Sequence, residues 1–356
     1  MENKKEKTKA VLRTILIIIG VIGFFAFWTI FIMINAKAGS LTFIAFIIGI
    51  YVTAIVKSKQ PPKVKPKPIE KKVISEESKE KIDKILDALK AKTEITSYNI
   101  KCEEAENIGI YDSKFGGIPY WDLSKEYPSD SFGNKLVLLA QINFEKEKFD
   151  DERLPNNGIL QFYASQDDVC GIDLKNQDLQ KDWKVVFHEE IDRNVTNDDI
   201  MKLDIPTSLI SAENKNTFFP IEKEYKLSFE RVKSYMSNCS YNFNDVIKDI
   251  LKNDFNEDIS DEKTLYDYFE SEEIDYLMQS ADGFGHKLLG YPGFTQTDPR
   301  EGSYGAALRY YNTLLLQIDS QDGIMWGDSG VCNFFINDKD LKKGDFSRIL
   351  YNWDCY

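Results

Sequence analysis

The chain has 356 residues, 42% hydrophobic and 13% aromatic, which is ample for a sizeable core. The formal charge is −13 but uneven: residues 1–75 hold 13 Lys and Arg against 3 Glu, and the remainder holds 32 basic against 55 acidic side chains. An acidic body repels phosphate backbones, so nucleic acid is excluded as its partner.

Ile15 to Ile34 is a run of twenty residues without a charge, about the length that crosses a hydrocarbon core as a helix. A second apolar run covers residues 38–56 after a short turn carrying only Lys37. Together, residues 1–56 read as a two-helix transmembrane hairpin. Lys4, Lys5, Lys7, Lys9 and Arg13 precede the first span, and seven lysines between Lys57 and Lys72 follow the second. The positive-inside rule then places both ends in the cytoplasm, with the protein in the inner (plasma) membrane. A cleaved signal peptide fits less well, because the apolar core is too long and a second span follows at once. Residues 57–75 combine four prolines with the lysines and read as a semi-rigid spacer whose charges suit an anionic lipid surface.

Residues 76–356 form the expected cytoplasmic domain. Ser75-Glu76-Glu77-Ser78 is a helix-start signal, and Ile82, Ile85, Leu86 and Leu89 then follow at helical spacing. Short strand-like runs broken by Gly, Pro, Asn and Asp come next, and a second helical zone is expected over about Asn244 to Met278. The five cysteines form no C-x-x-C pair and read as reduced thiols.

Three motifs recur in order. Leu138–Asn143 (LLAQIN) returns as Leu314–Asp319 (LLLQID), Gly158–Tyr163 as Gly330–Phe335, and Gly117-Ile118-Pro119 as Gly290-Tyr291-Pro292. The near-constant offset predicts an α+β fold: a duplicated β-rich unit with peripheral helices, in two related halves of about 95–225 and 226–356.

The repeat also bears on Trp326-Gly327-Asp328-Ser329-Gly330, whose GDSG core is the setting of the nucleophile in many serine proteases. Gly330 aligns with Gly158, the glycine that opens a strand in the first half, so the motif reads as a strand-opening turn. His188, in VFHE, lacks the context of a triad base.

Taken together, GGIP (116–119), LLAQIN (138–143), NGILQFY (157–163), HKLLGYP (286–292), LLLQID (314–319), MWGDSG (325–330) and NFFI (333–336) resemble the YwqG-like family of bacterial proteins, over about Ile82 to Tyr356. The resemblance implies an α+β fold built from a duplicated unit and a domain of unknown function. It implies no catalytic residue.

The polar residues that stand out are Gln141 and Gln317, which interrupt apolar strands at matching places, with His286, Trp326 and Asp328. They are candidates for a binding cleft between the halves. For Gln141, Gln317 and His286 the competing role is pairing of buried backbone groups; for Trp326 it is core filling, and for Asp328 a turn cap. Asp254, Asn256, Asp258 and Asp261 lack the glycine and terminal Glu of a calcium loop, and no phosphate-binding loop is present. No metal and no cofactor are expected. The reading is a membrane-anchored, non-catalytic binding module, with the bilayer and a basic protein as partners. The alternative is an enzyme, a hydrolase, with its site between the halves.

Overall fold

Ser75 starts the first described helix, α1 (Glu76–Thr93): its side chain accepts from the Ser78 N–H at 3.1 Å. Glu76 and Glu77 in the first turn and Lys90 and Lys92 in the last complement the helix dipole. Ile82, Ile85, Leu86 and Leu89 are buried along one face, each contributing about 1.5–3 kcal/mol of burial. The computed structural model describes residues 74–207, 219–257, 259–260 and 262–356, which belong to one compact unit, Lys72–Tyr356. The expected spans at 15–34 and 38–56, the spacer up to residue 73, and Asp258 and Asp261 lie outside the described residues. Among the described residues no helix is long and apolar enough to cross a membrane.

After α1 come β1 (Ile95–Glu104), β2 (Lys114–Phe115), β3 (Val137–Asn143), β4 (Ile159–Ala164), β5 (Trp183–His188), the short α2 (Asn197–Met201) and β6 (Tyr225–Ser234). The expected helical zone is three helices, α3 (Phe243–Phe255), α4 (Leu265–Tyr268) and α5 (Ser271–Ser280). Asn256 ends α3 with a left-handed backbone, φ 57°, a conformation Asn tolerates. Asp267 and Glu273 each accept from a backbone N–H three residues earlier and start the next two helices. α1, α3 and α5 bury their apolar faces against one another in a cluster that includes Ile85, Ile247 and Leu277. The chain closes with β7 (Lys287–Leu289), β8 (Thr313–Asp319), β9 (Val331–Ile336), the short α6 (Asp338–Leu341) and β10 (Leu350–Asp354).

All ten strands form one antiparallel sheet in the order β10-β9-β8-β7-β1-β6-β2-β3-β4-β5. The domain is thus mixed α/β, and the sheet curls until side chains from its two ends meet. Phe162 of β4 packs on Phe334 of β9 at 4.8 Å between ring centroids, and Trp183 of β5 on Tyr351 of β10 at 5.2 Å. Those rings belong to the main core, inside the curl. The outer faces are covered too, by a cluster around Tyr120, Leu138 and Tyr163 on one flank and Phe294, Leu314 and Phe335 on the other. Burial on both faces explains why β3, β4 and β9 are apolar at most positions on both faces, broken only by the amide side chains of Gln141, Asn143, Gln161 and Asn333, rather than alternating.

The strand order is symmetric about the long β1–β6 pair, and so is the register. Lys114 faces Gln141 across β2–β3, and Lys287 faces Gln317 across β7–β8. Gln141 faces Gln161 and Gln317 faces Asn333. The register shifts just before each glutamine, between Leu138 and Ala140 in β3 and between Leu314 and Leu316 in β8. β1 lies beside β7, and β6 beside β2, so each of these long strands sits with the motif set that is remote from it in sequence.

Candidate functional site

Gln141 is fully buried, and its whole amide is engaged by backbone. Its Nε2 donates to the Ile110 and Asp112 carbonyls, each at 2.8 Å, and its Oε1 accepts from the Tyr120 N–H at 2.9 Å. It also accepts from Gln161 Nε2 at 2.7 Å. Gln317 repeats the arrangement, donating to the Gly283 and Gly285 carbonyls and accepting from the Gly293 N–H. Each glutamine therefore ties the loop that precedes a short strand to the Gly-x-Pro loop that follows it. In sheet order they lie apart, with β7, β1, β6 and β2 between their strands.

His286 is buried just before β7. Its Nδ1 accepts from the Asp319 N–H at 2.9 Å, so the proton is on Nε2, which donates to Gln321 Oε1 at 2.8 Å. Burial lowers its pKa, against an opposing pull from Gln321 and Asp319. Ser113 performs the same service in the other flank, where its hydroxyl accepts from the Asn143 N–H. His188, fully buried and bonded to Gln161 Oε1, is pushed by burial down to about 4.

Trp326 is fully buried and packs against Trp353, with ring centroids 5.9 Å apart. Asp328 is exposed, and its carbonyl accepts from the Tyr356 N–H at 3.1 Å, a bond that ties the C-terminus to the turn. Ser329 sits in the same turn with φ 53°, and the Gly330 N–H closes it onto the Trp326 carbonyl at 2.8 Å, directly before β9. Both histidines of the chain are bonded elsewhere, so the turn geometry accounts for GDSG without a nucleophile.

What the motifs alone do not reveal is a pair of buried lysines. Lys114 is fully buried, and its Nζ donates to Glu224 Oε1 at 2.7 Å and the Ile118 carbonyl at 2.9 Å. Burial lowers its pKa, and the Glu224 carboxylate opposes the shift. Lys287 is 8% exposed and donates to the Gly283 carbonyl at 2.6 Å and the Tyr291 carbonyl at 3.3 Å. Burial pushes it down to about 8, against the more distant carboxylates of Asp282 and Asp319. A signal is present in the chain: a lysine stands three residues before the glycine of GIP and of GYP alike.

Lys287 borders a surface depression of about 430 Å³ between α1, β1, the end of β6 and the loop after α5. Ser97, Asn99, Ser234 and Asp282 share its lining. None of the five sequence candidates lines this depression. Among the described residues, no group of three or more His, Cys, Asp or Glu is placed to hold a metal ion.

A family profile described as domain of unknown function (DUF1963) matches residues 113–355, from the residue before Lys114 to the residue after the last strand. No curated protein matches the chain.

Proposed function

Given that the chain belongs to the family described as domain of unknown function (DUF1963), we propose that it is a membrane-anchored binding module rather than a catalyst. The observation that carries this reading is the depression beside Lys287, whose size suits a small ligand and whose lining offers hydroxyl, amide and charged groups. The two apolar runs at 15–34 and 38–56 support a hairpin anchor with both termini in the cytoplasm, and the acidic body supports capture of a basic protein partner at the inner membrane face.

The motif set supports assignment to the YwqG-like proteins. Duplication of the unit is supported by the symmetric strand order, the paired registers and the matching bonds of Gln141 and Gln317. One observation favours the enzymatic alternative: an amine held near pH 8 is partly neutral at cellular pH and suited to taking up a proton. Gln317, one of the residues on which that alternative rests, has its amide committed to backbone.

Two experiments test the proposal. Ser280 lies on the exposed rim of the depression. In-cell cross-linking of the full-length protein should recover a partner or ligand that Ser280→Trp loses; equal recovery from both would overturn the reading. For the anchor, a membrane-impermeant maleimide should label Cys355 only after the cells are permeabilised. Labelling of intact cells would place the body outside.

A further inference from the structure

We propose that the depression beside Lys287 is a site for a small carboxylic acid, whose carboxylate takes the place on Lys287 that the Glu224 carboxylate takes on Lys114. Such a site deepens the binding-module reading and rests on it.

The two lysines occupy matching positions. Lys114 pairs across to Lys226 and Phe115 to Tyr225; on the other flank Lys287 pairs to Asn99 and Leu288 to Tyr98. Glu224, the residue before Tyr225, therefore corresponds to Ser97, the residue before Tyr98. The glycines that follow agree. A Cβ on Gly117 would lie 2.2 Å from Glu224 Oε1, and one on Gly290 would lie 2.7 Å from Ser97 Oγ. Each Gly-x-Pro turn thus leaves its space to the side chain that arrives from the neighbouring long strand.

The chemistry differs at that one side chain. Glu224 brings a carboxylate to a buried ammonium. Ser97 brings a hydroxyl, which donates to the Leu288 and Leu289 carbonyls and reaches no charge. Lys287 has two carbonyl partners and, among the described residues, no ion pair. A buried cation is strongly stabilised by an anion in contact, because little water remains to solvate it.

The nearby acids are already turned to backbone. Asp282 accepts from the Phe284 N–H, and Asp319 accepts from the Gly285 and Ser320 N–H groups. At the rim, Lys233 pairs with Glu94 at 2.9 Å and Lys90 lies 3.9 Å from Asp87. Ser97 and Lys287 both line the depression, and Ser97 is shorter than Glu224, its match on the other flank. A ligand with a carboxylate on a short carbon stem reproduces what Glu224 supplies internally.

The test is thermal unfolding of the full-length protein, at constant ionic strength and pH 7, titrated with glutarate, butyrate or inorganic phosphate. Glutarate or butyrate should raise Tm progressively, as the logarithm of ligand concentration above the dissociation constant, by about 2 °C at ten times that constant. Lys287→Met should lose the shift. Ser97→Glu, which installs the internal carboxylate, should raise Tm without ligand and abolish the response. The proposal is overturned if the wild type shows no rise in Tm with carboxylate, if Ser97→Glu or Lys287→Met keeps the rise, or if phosphate matches the carboxylates. A wild type that ignores carboxylates while Ser280→Trp still loses its cross-linked partner would sink this inference alone. Carboxylate binding with partner recovery unaffected by Ser280→Trp would sink the cross-linking reading alone.

Discussion

The two flanks of the sheet solve the same problem in different ways. Each buries a lysine at the start of a two- or three-residue strand, and each uses a glutamine on the next strand to fasten the surrounding loops. In the Lys114 flank the charge is neutralised from within by Glu224. In the Lys287 flank the matching residue is Ser97, and the lysine borders a depression instead. A sheet can therefore carry a similar polar scaffold on both flanks while neutralising the charge from within on one flank only.

The largest effect should come from breaking the closed flank. Glu224→Ala strands a buried ammonium and should cost about 3–5 kcal/mol in chemical denaturation. Ser97→Ala, its counterpart, should cost far less, because only a hydroxyl bonded to carbonyls is lost; equal costs would show that the flanks do not differ as described. The glutamines should behave alike instead. Gln141→Leu and Gln317→Leu each orphan a buried carbonyl and a buried N–H and leave a second, partly buried carbonyl to water, and each should destabilise by about 2–3 kcal/mol.

A pH experiment sharpens the contrast between the lysines. The folded pKa of Lys287 is lowered to about 8 by burial, below the usual lysine value, so between these values the unfolded chain binds a proton that the folded chain does not. Stability attributable to Lys287 should therefore rise from about pH 8 to about pH 10.5, by up to roughly 3 kcal/mol. The stability difference between the wild type and Lys287→Met, measured across that window, should show the rise. A flat difference would mean that Lys287 is solvated. The smallest effect belongs to Ser329 in the turn that opens β9. Ser329→Gly should stabilise by about 0.5–1 kcal/mol, since φ 53° is costly for a side chain that bears a Cβ. Gly158→Ala, in the matching turn, should instead destabilise by more than Ser329→Gly gains, because its Cβ would lie 2.5 Å from the His188 carbonyl at φ 90°.

Much of the architecture is legible in the chain. The α1 cap and apolar face follow from local rules, and so do the strands that carry LLAQIN, LLLQID and the two runs opened by Gly158 and Gly330. The helical zone is visible from apolar residues at helical spacing on either side of residues 256–264, but the left-handed Asn256 that ends α3 is a backbone feature that this spacing does not announce. Among the site candidates, Gln141, Gln317 and His286 stand out because polar residues in apolar runs are conspicuous. What they bond to is hidden, since their partners lie about thirty residues away along the chain. Lys114 and Lys287 escape notice because a lysine in a loop-flanking position is usually solvated.

From the order of residues alone come the acidic body, the apolar and basic N-terminal pattern, the helix starts and the recurring motifs. These depend on composition and on neighbours within a few turns of chain. Only the folded sheet decides that β1 and β6 lie at its centre, that its ends meet through Trp183 and Tyr351, and that Glu224 reaches one lysine while Ser97 faces the other flank. Such pairings join residues more than a hundred positions apart. They are set by strand register and burial, and no local stretch of sequence contains them.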